Sequence, residues 1–337
     1  MQGKMLVAAL VASLPLVASA QSSVTIYGVV DAGVAHEDTG AVGGNKTVLA
    51  SGNQSTSRFG FKGQEDIGNG LKAVFNLEAG YQVDTGLGDA SLFGRRAVVG
   101  LEGSFGAVVL GREYTPVADV ANVTDINGQG FYGSNLSSFA AGRLTRRISN
   151  SVNYRSASAM GGFKLGAAIG LGEQSTGPSK DLLGVSLAYA AENFYIGGAY
   201  HSVENVTTGK DKEYIVGATA KFSAFEVKAN YMVADPTGTG NKYEQANLGA
   251  SYAFDANKIY TNVQQNKLEN GAKGNLFSVA YSYTLSKRTN VYAAYATMRN
   301  NALGLFPIYS AGSNITPAAG QNGVDPTGLT VGLRHSF

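Results

Sequence analysis

The chain of 337 residues has no cysteine, no tryptophan, three histidines and seven prolines. Without cysteine there is no disulfide framework, no zinc–thiolate or iron–sulfur centre and no thiol nucleophile, and three scattered histidines leave little for a multi-histidine metal site. No metal or other cofactor is expected. Charge is scarce as well: 15% of residues are charged, against the ~25% usual in soluble domains. No run of roughly 18 apolar residues occurs after position 20, which excludes a bundle of membrane-spanning helices. A hydrophobic content of 44% excludes disorder. Nucleic acid is excluded as a partner, because the formal net charge is only +2 and no basic surface is concentrated anywhere. What abounds is glycine, 45 residues, with 18 Tyr and 15 Phe. That is the composition of a large β protein.

Residues 1–20 read MQGKMLVAALVASLPLVASA, with Lys4 as the only charge, an apolar stretch from Met5 to Val17 and the small-x-small end Ala18-Ser19-Ala20. An apolar core this short, ending in small residues, predicts an export signal cleaved before Gln21. Residues 21–337 then form a single domain with 25 Lys+Arg against 24 Asp+Glu.

From residue 22 onward one grammar repeats: about ten residues of alternating polarity, then a break. Period two means strands. In 163–171, Phe163, Leu165, Ala167, Ile169 and Leu171 alternate with Lys164, Gly166, Ala168 and Gly170. Phe225, Val227, Ala229, Tyr231 and Val233 likewise oppose Glu226, Lys228 and Asn230. Alternation alone suits a soluble sandwich as well as a membrane barrel. Two features choose the barrel. The polar rows are rich in Gly, Ser, Asn, Lys and Arg while the apolar rows begin or end in Tyr or Phe, as aromatic girdles at two lipid interfaces require. The connections also alternate short and long: short near 66–70, 103–106, 156–162, 192–193, 223–224, 255–257 and 286–288, and long near 37–52, 84–90, 116–144, 173–181, 203–212, 235–242, 269–274 and 300–324. Seven turns and eight loops join sixteen strands, with both chain ends on the short-turn side. An all-β, sixteen-stranded antiparallel transmembrane β-barrel follows, since a sheet in lipid satisfies its backbone only by closing on itself. So many tilted strands enclose a water-filled lumen. The last strand ends in Phe337, and a terminal aromatic on such a strand looks like the signal read by the outer-membrane barrel assembly machinery.

At this point the chain resembles a known family, the trimeric general porins of Gram-negative bacteria, in the branch typical of β-proteobacteria. The resemblance rests on QSSVTIYGVVDAG at 21–33, RFGFKGQEDIGNGLKAVFNLE at 58–78, LFGRRAVVGLEGSFGAVVLGREYTP at 92–116, SVNYRS at 151–156 and GLTVGLRHSF at 328–337. It implies a homotrimer set in outer-membrane lipid and lipopolysaccharide that passes ions and small hydrophilic solutes. It also implies a third long loop folded into the lumen and facing basic residues on the wall.

Here the third long connection is the longest, and it carries Asp119, Asn122, Asp125 and Asn127 before a Gly-rich stretch. Parity puts Arg58 and Lys62 on the inner face, opposite Phe59 and Phe61. Arg95 is favoured over Arg96 by the family pattern. Arg147, alternating with Ile148, Val152 and Tyr154, shares the inner face with Arg155, and Arg146 is the alternative. Arg334 points inward in the last strand. Arg112 has the parity of Val108 and Leu110 and is expected on the outer wall, where a charge costs about 2–4 kcal/mol at mid-depth. A neighbouring subunit is therefore expected to cover it at a trimer contact, with Asp84 or Asp89 as partner. The expected constriction sets Asp119 and Asp125 against Arg58, Arg95 and Arg147, with an excess of positive charge giving a weak anion preference. A substrate-specific channel for sugars or anions is the alternative, with Tyr114, Phe131 and Tyr132 either forming an aromatic track or packing the loop. An adhesin or a barrel enzyme is the remaining rival, and His36, His201 and His335 form no apparent catalytic set.

Overall fold

The computed structural model describes residues 23–139, 146–157, 161–204, 209–238, 240 and 242–337. The expected leader, residues 1–20, lies outside them. In chain order the elements are β1 Ser23–Asp38, β2 Asn45–Ser51, β3 Arg58–Gly68, β4 Leu71–Gly80, β5 Arg96–Gly103 and β6 Gly106–Tyr114, then α1 Pro116–Thr124 and α2 Asn135–Phe139. There follow β7 Arg147–Arg155, β8 Phe163–Gly170, β9 Leu182–Ala190, β10 Phe194–Glu204, β11 Lys210–Phe222, β12 Phe225–Asp235 and β13 Tyr243–Phe254. The chain finishes with β14 Asn257–Leu268, β15 Lys273–Ser286, β16 Thr289–Asn300, β17 Ile308–Tyr309, β18 Asn314–Ile315 and β19 Thr327–Ser336.

Neighbouring strands pair antiparallel around the wall, and β19 pairs with β1 to close it. β2 and β3 both pair with β1, over 32–38 and 23–29, so they are two halves of one wall position. The seventeen strands of the sheet thus make the sixteen wall positions that the alternation predicts. The stretch 37–52, expected as a loop, is instead mostly strand: β1 and β2 form a hairpin turning at 39–44. The break falls later, at 52–57. Its cause is Asp31, whose carboxylate accepts the backbone N–H groups of Gln54 at 3.1 Å and Ser55 at 2.7 Å and the Tyr292 hydroxyl at 2.6 Å. A buried carboxylate that collects two N–H groups offers the chain an alternative to the sheet ladder, and the strand bends inward there.

Two faces separate cleanly along most strands. Val185, Val216 and Leu248 are exposed on the outside, and Phe225 and Tyr252 stack at 4.4 Å near the short-turn end. An apolar exposed row of this extent is a surface made for lipid. At the seam, Phe337 and Gly28 exchange backbone hydrogen bonds of 3.1 Å. The Phe337 ring lies over Gly28, where a Cβ would stand 2.4 Å from the ring edge. Glycine is what lets the terminal aromatic lie flat on the seam.

On β11–β16 the inner face carries an apolar patch toward the long loops, beside the buried amides Gln245, Gln264 and Asn266. Ile215, Met232, Leu276 and Met298 are buried there. They pack with Val117 and Val120 of α1, Phe131 and Tyr132 beyond it, Leu136 and Phe139 of α2, and Ile308 and Ile315 of β17 and β18. This cluster lies on the side opposite the exposed apolar rows. The third and eighth connections also join through their backbones, Gly133 N–H to the Tyr309 carbonyl at 2.9 Å and Ala311 N–H to the Gly130 carbonyl at 2.8 Å.

Candidate functional site

The third connection starts with a helix because its sequence caps one. Thr115 is the N-cap, its hydroxyl accepting from Ala118 N–H at 3.3 Å, and Pro116 opens the first turn. Proline there loses no hydrogen bond and sets the helical φ. The helix lies against β9–β12 on wall residues of opposite parity to the exposed row. Gly184 lies under the Pro116 ring, Gly217 under Thr124 and Gly249 under Ile126, and a Cβ at each would be within 3.1 Å of those side chains. Amides hold the carbonyls of the connection: Asn230 donates to Thr124 at 2.9 Å, Gln245 to Asn135 at 3.1 Å and Asn262 to Gly133 at 3.4 Å.

Across the gap from this seat, one cavity is lined by Arg58, Arg95, Arg96, Arg146 and Arg155 together with Glu78, Glu113 and Asp119. Five guanidinium groups face three carboxylates, an excess of two positive charges. Glu78 organises the first pair, accepting Arg95 Nε at 2.7 Å and the Tyr27 hydroxyl at 3.0 Å, with Arg58 Nε at 3.6 Å. Asp119 sits in the first turn of α1 and meets Arg155 at 3.0 Å. Burial raises the Asp119 carboxyl above the usual range, with Arg155 pulling against it. Arg146, at the return from the third connection, has its guanidinium pKa lowered by burial.

The sequence-derived site residues divide. Arg58, Arg95 and Asp119 line this cavity. The Arg95 and Arg96 alternatives resolve to both. Arg147 does not: it lies over the Tyr114 ring, 4.4 Å from its centroid, and donates to the Tyr114 hydroxyl at 2.7 Å, while Arg146 lines the cavity. The parity argument fails here because Asn150 has φ +52° and the β6–β7 register shifts between Gly111 and Glu113. Across that bulge the alternation inverts: Ile148 is buried with Ala168 and Leu182 while Ser149 is exposed. Asp125 is a second departure. It is buried, 3% exposed, and accepts backbone N–H groups of Asn127 at 2.9 Å, Gln129 at 3.1 Å and Asn135 at 3.3 Å. It braces the loop and makes no ion pair with an arginine among the described residues.

Lys62 stands 5.3 Å over the Tyr27 ring on the lumen side, and Arg334 lies opposite Asp31 in the β1–β19 register. Within its own chain, Arg112 donates to the Gly94 carbonyl at 2.7 Å and Ser149 Oγ at 2.8 Å. Phe131 and Tyr132 are packed, 2% and 1% exposed. Glu78 and Glu113 went unassigned in the sequence, yet both stand on spanning strands, where a charge is tolerated only toward water or a partner.

The profile of the Gram-negative porins matches residues 6–303. Outer membrane porin protein 32 of Delftia acidovorans is 29% identical over 359 residues, covering 99% of each chain. Major outer membrane protein P.IB of Neisseria meningitidis serogroup B is 27% identical, again over 99% of both. Among solved structures, an anion-selective porin from Comamonas acidovorans superposes with a TM-score of 0.82 at 27% identity, covering 94% of this chain and 100% of that one. Closed wall, interior loop seat and arginine-lined gap occur here in a chain that belongs to the Gram-negative porins.

Proposed function

We propose that this general diffusion porin of the bacterial outer membrane selects by charge at the gap between α1 and the wall of β3–β7, with a weak preference for anions. The protein is a passive channel and no enzyme: ions and small hydrophilic solutes cross through its water-filled lumen. The observation that carries the preference is the excess of guanidinium over carboxylate groups around that gap. Fixed charges facing a narrow aqueous path raise the local concentration of the opposite ion and deplete the like one. Arg58, Arg95 and Arg146, with Glu78 beside the first two, supply the positive side and Asp119 on α1 the negative side, and the transverse field between them orients dipolar solutes. Arg147 acts through Tyr114. The likeness to an anion-selective porin supports the same sign. A sugar channel would need exposed aromatic faces, whereas Phe131 and Tyr132 are spent on packing the loop.

The finer partners belong to the same reading. The chain assembles as a homotrimer, with Arg112 beside the 81–95 loop at the contact. The long-loop rim meets lipopolysaccharide. Phe337 marks the last strand for the barrel assembly machinery, and residues 1–20 are the leader removed on export. Single-channel recording in a planar bilayer under a salt gradient tests the whole: three equal closing steps and a small anion-directed reversal potential are expected. A folded, inserted protein that passes no current, or one that prefers cations, refutes it.

A further inference from the structure

Toward the short turns a second cavity opens, lined among others by Lys62, Gln64, Asn76 and Glu102. Arg96 and Arg155 line both this cavity and the arginine-rich one. The passage between the two chambers is therefore framed by these two side chains, one from β5 and one from β7. Both are held by one group. Glu113 on β6, 1% exposed, accepts Arg155 at 3.1 Å and is ion-paired with Arg96 through the same oxygen, while its other oxygen accepts Tyr114 N–H at 2.9 Å. Arg155 extends the chain to Asp119 on α1. Among the upper arginines, Arg58 and Arg95 share one carboxylate, Glu78, and Arg146 makes no ion pair with the described residues. At the passage two guanidinium groups meet two carboxylates, and the charge is balanced.

We propose that Glu113 is a positioning and selectivity-setting residue: it fixes Arg96 and Arg155 at the passage between the chambers and offsets their charge, shifting the permeability ratio away from anions relative to a pore without it. The inference rests on the reading of the chain as a charge-lined pore. It does not depend on which sign the whole pore prefers. A carboxylate buried between two arginines is held by them and in turn restricts both. Losing its charge leaves an uncompensated guanidinium beside the ion path, in water, where one elementary charge a few ångström away changes ion occupancy severalfold before salt screens it.

The test compares zero-current potentials of the full-length protein and its variants in planar bilayers under a potassium chloride gradient, with heat-modifiable migration on gels certifying the fold. For Glu113→Gln the anion-over-cation permeability ratio is expected to rise roughly two- to threefold. For Arg96→Gln it is expected to fall by a similar factor, and the double variant to return to the parent ratio. A folded Glu113→Gln channel with the parent ratio, or single variants that shift it in the same direction, overturns the proposal. Should Glu113→Gln not fold, Arg96→Gln decides alone, because an unchanged ratio there removes the passage from the selectivity path. A cation-preferring parent whose variants still shift as stated refutes the anion reading above and leaves this one standing.

Discussion

Asp125 gives the third loop a pH dependence whose direction follows from its burial. Its carboxylate braces three backbone N–H groups, yet desolvation outweighs them and pushes its pKa from 3.8 up to about 6. With the pKa raised in the folded loop, the loop holds the proton more tightly than an opened loop does. Acid therefore favours the closed brace, and stability is lost as pH rises from about 4 through 6. Between pH 7 and pH 5 the opening equilibrium should fall about tenfold, roughly 1.3 kcal/mol by linkage. Hydrogen–deuterium exchange of the Asn127, Gln129 and Asn135 amides, corrected for intrinsic rates and read in detergent, measures this opening. Asp125→Asn does not titrate and keeps one acceptor oxygen, its NH2 group facing donors that need the other. It should exchange faster throughout and show no pH dependence of its own. Protection that weakens on acidification, or persists in its pH dependence in Asp125→Asn, refutes the reasoning.

Three further outcomes follow from other parts of the barrel. Arg95→Ala removes one of the guanidinium groups beside Glu78 and should shift the reversal potential toward cations; unchanged conductance and reversal potential would take Arg95 out of the constriction. Ile308→Ala strips a fully buried side chain from the contact between the eighth and third connections, at about 2–5 kcal/mol for a buried isoleucine. Noisier and larger conductance steps are expected, and steps identical to the parent's would mean the eighth connection does not restrain the third. Gly28→Val puts carbon where the Phe337 ring lies, so the heat-modifiable, folded fraction recovered from membranes should drop; full recovery would show that the ring can lie elsewhere without cost to closure.

What the sequence discloses and what it conceals divide along one physical line. The wall was legible because a strand between lipid and water must alternate, residue by residue, over its whole length, and sixteen positions each repeat that signal. Lumen geometry depends instead on where long connections travel, and no local period records that. Ile215, Met232 and Met298 occupy the polar row because loops cover them; in the sequence they are only exceptions to a pattern. Parity misplaces Arg147 because it counts residues, and Asn150 in a left-handed conformation adds one with no opposite residue of its own on β6. Asp125 looked like a pore carboxylate because it is acidic and on the right loop, but a short side chain two residues before Asn127 also closes a turn on its own backbone. Glu78 and Glu113 carried the opposite lesson. Each is a charge on a spanning strand, which already requires it to face water or a cation, and basic residues at 58, 95–96 and 155 lie on neighbouring strands or their ends. Matching every charged strand residue to an opposite charge one strand away would have found both, and with them the balanced passage that separates the two chambers.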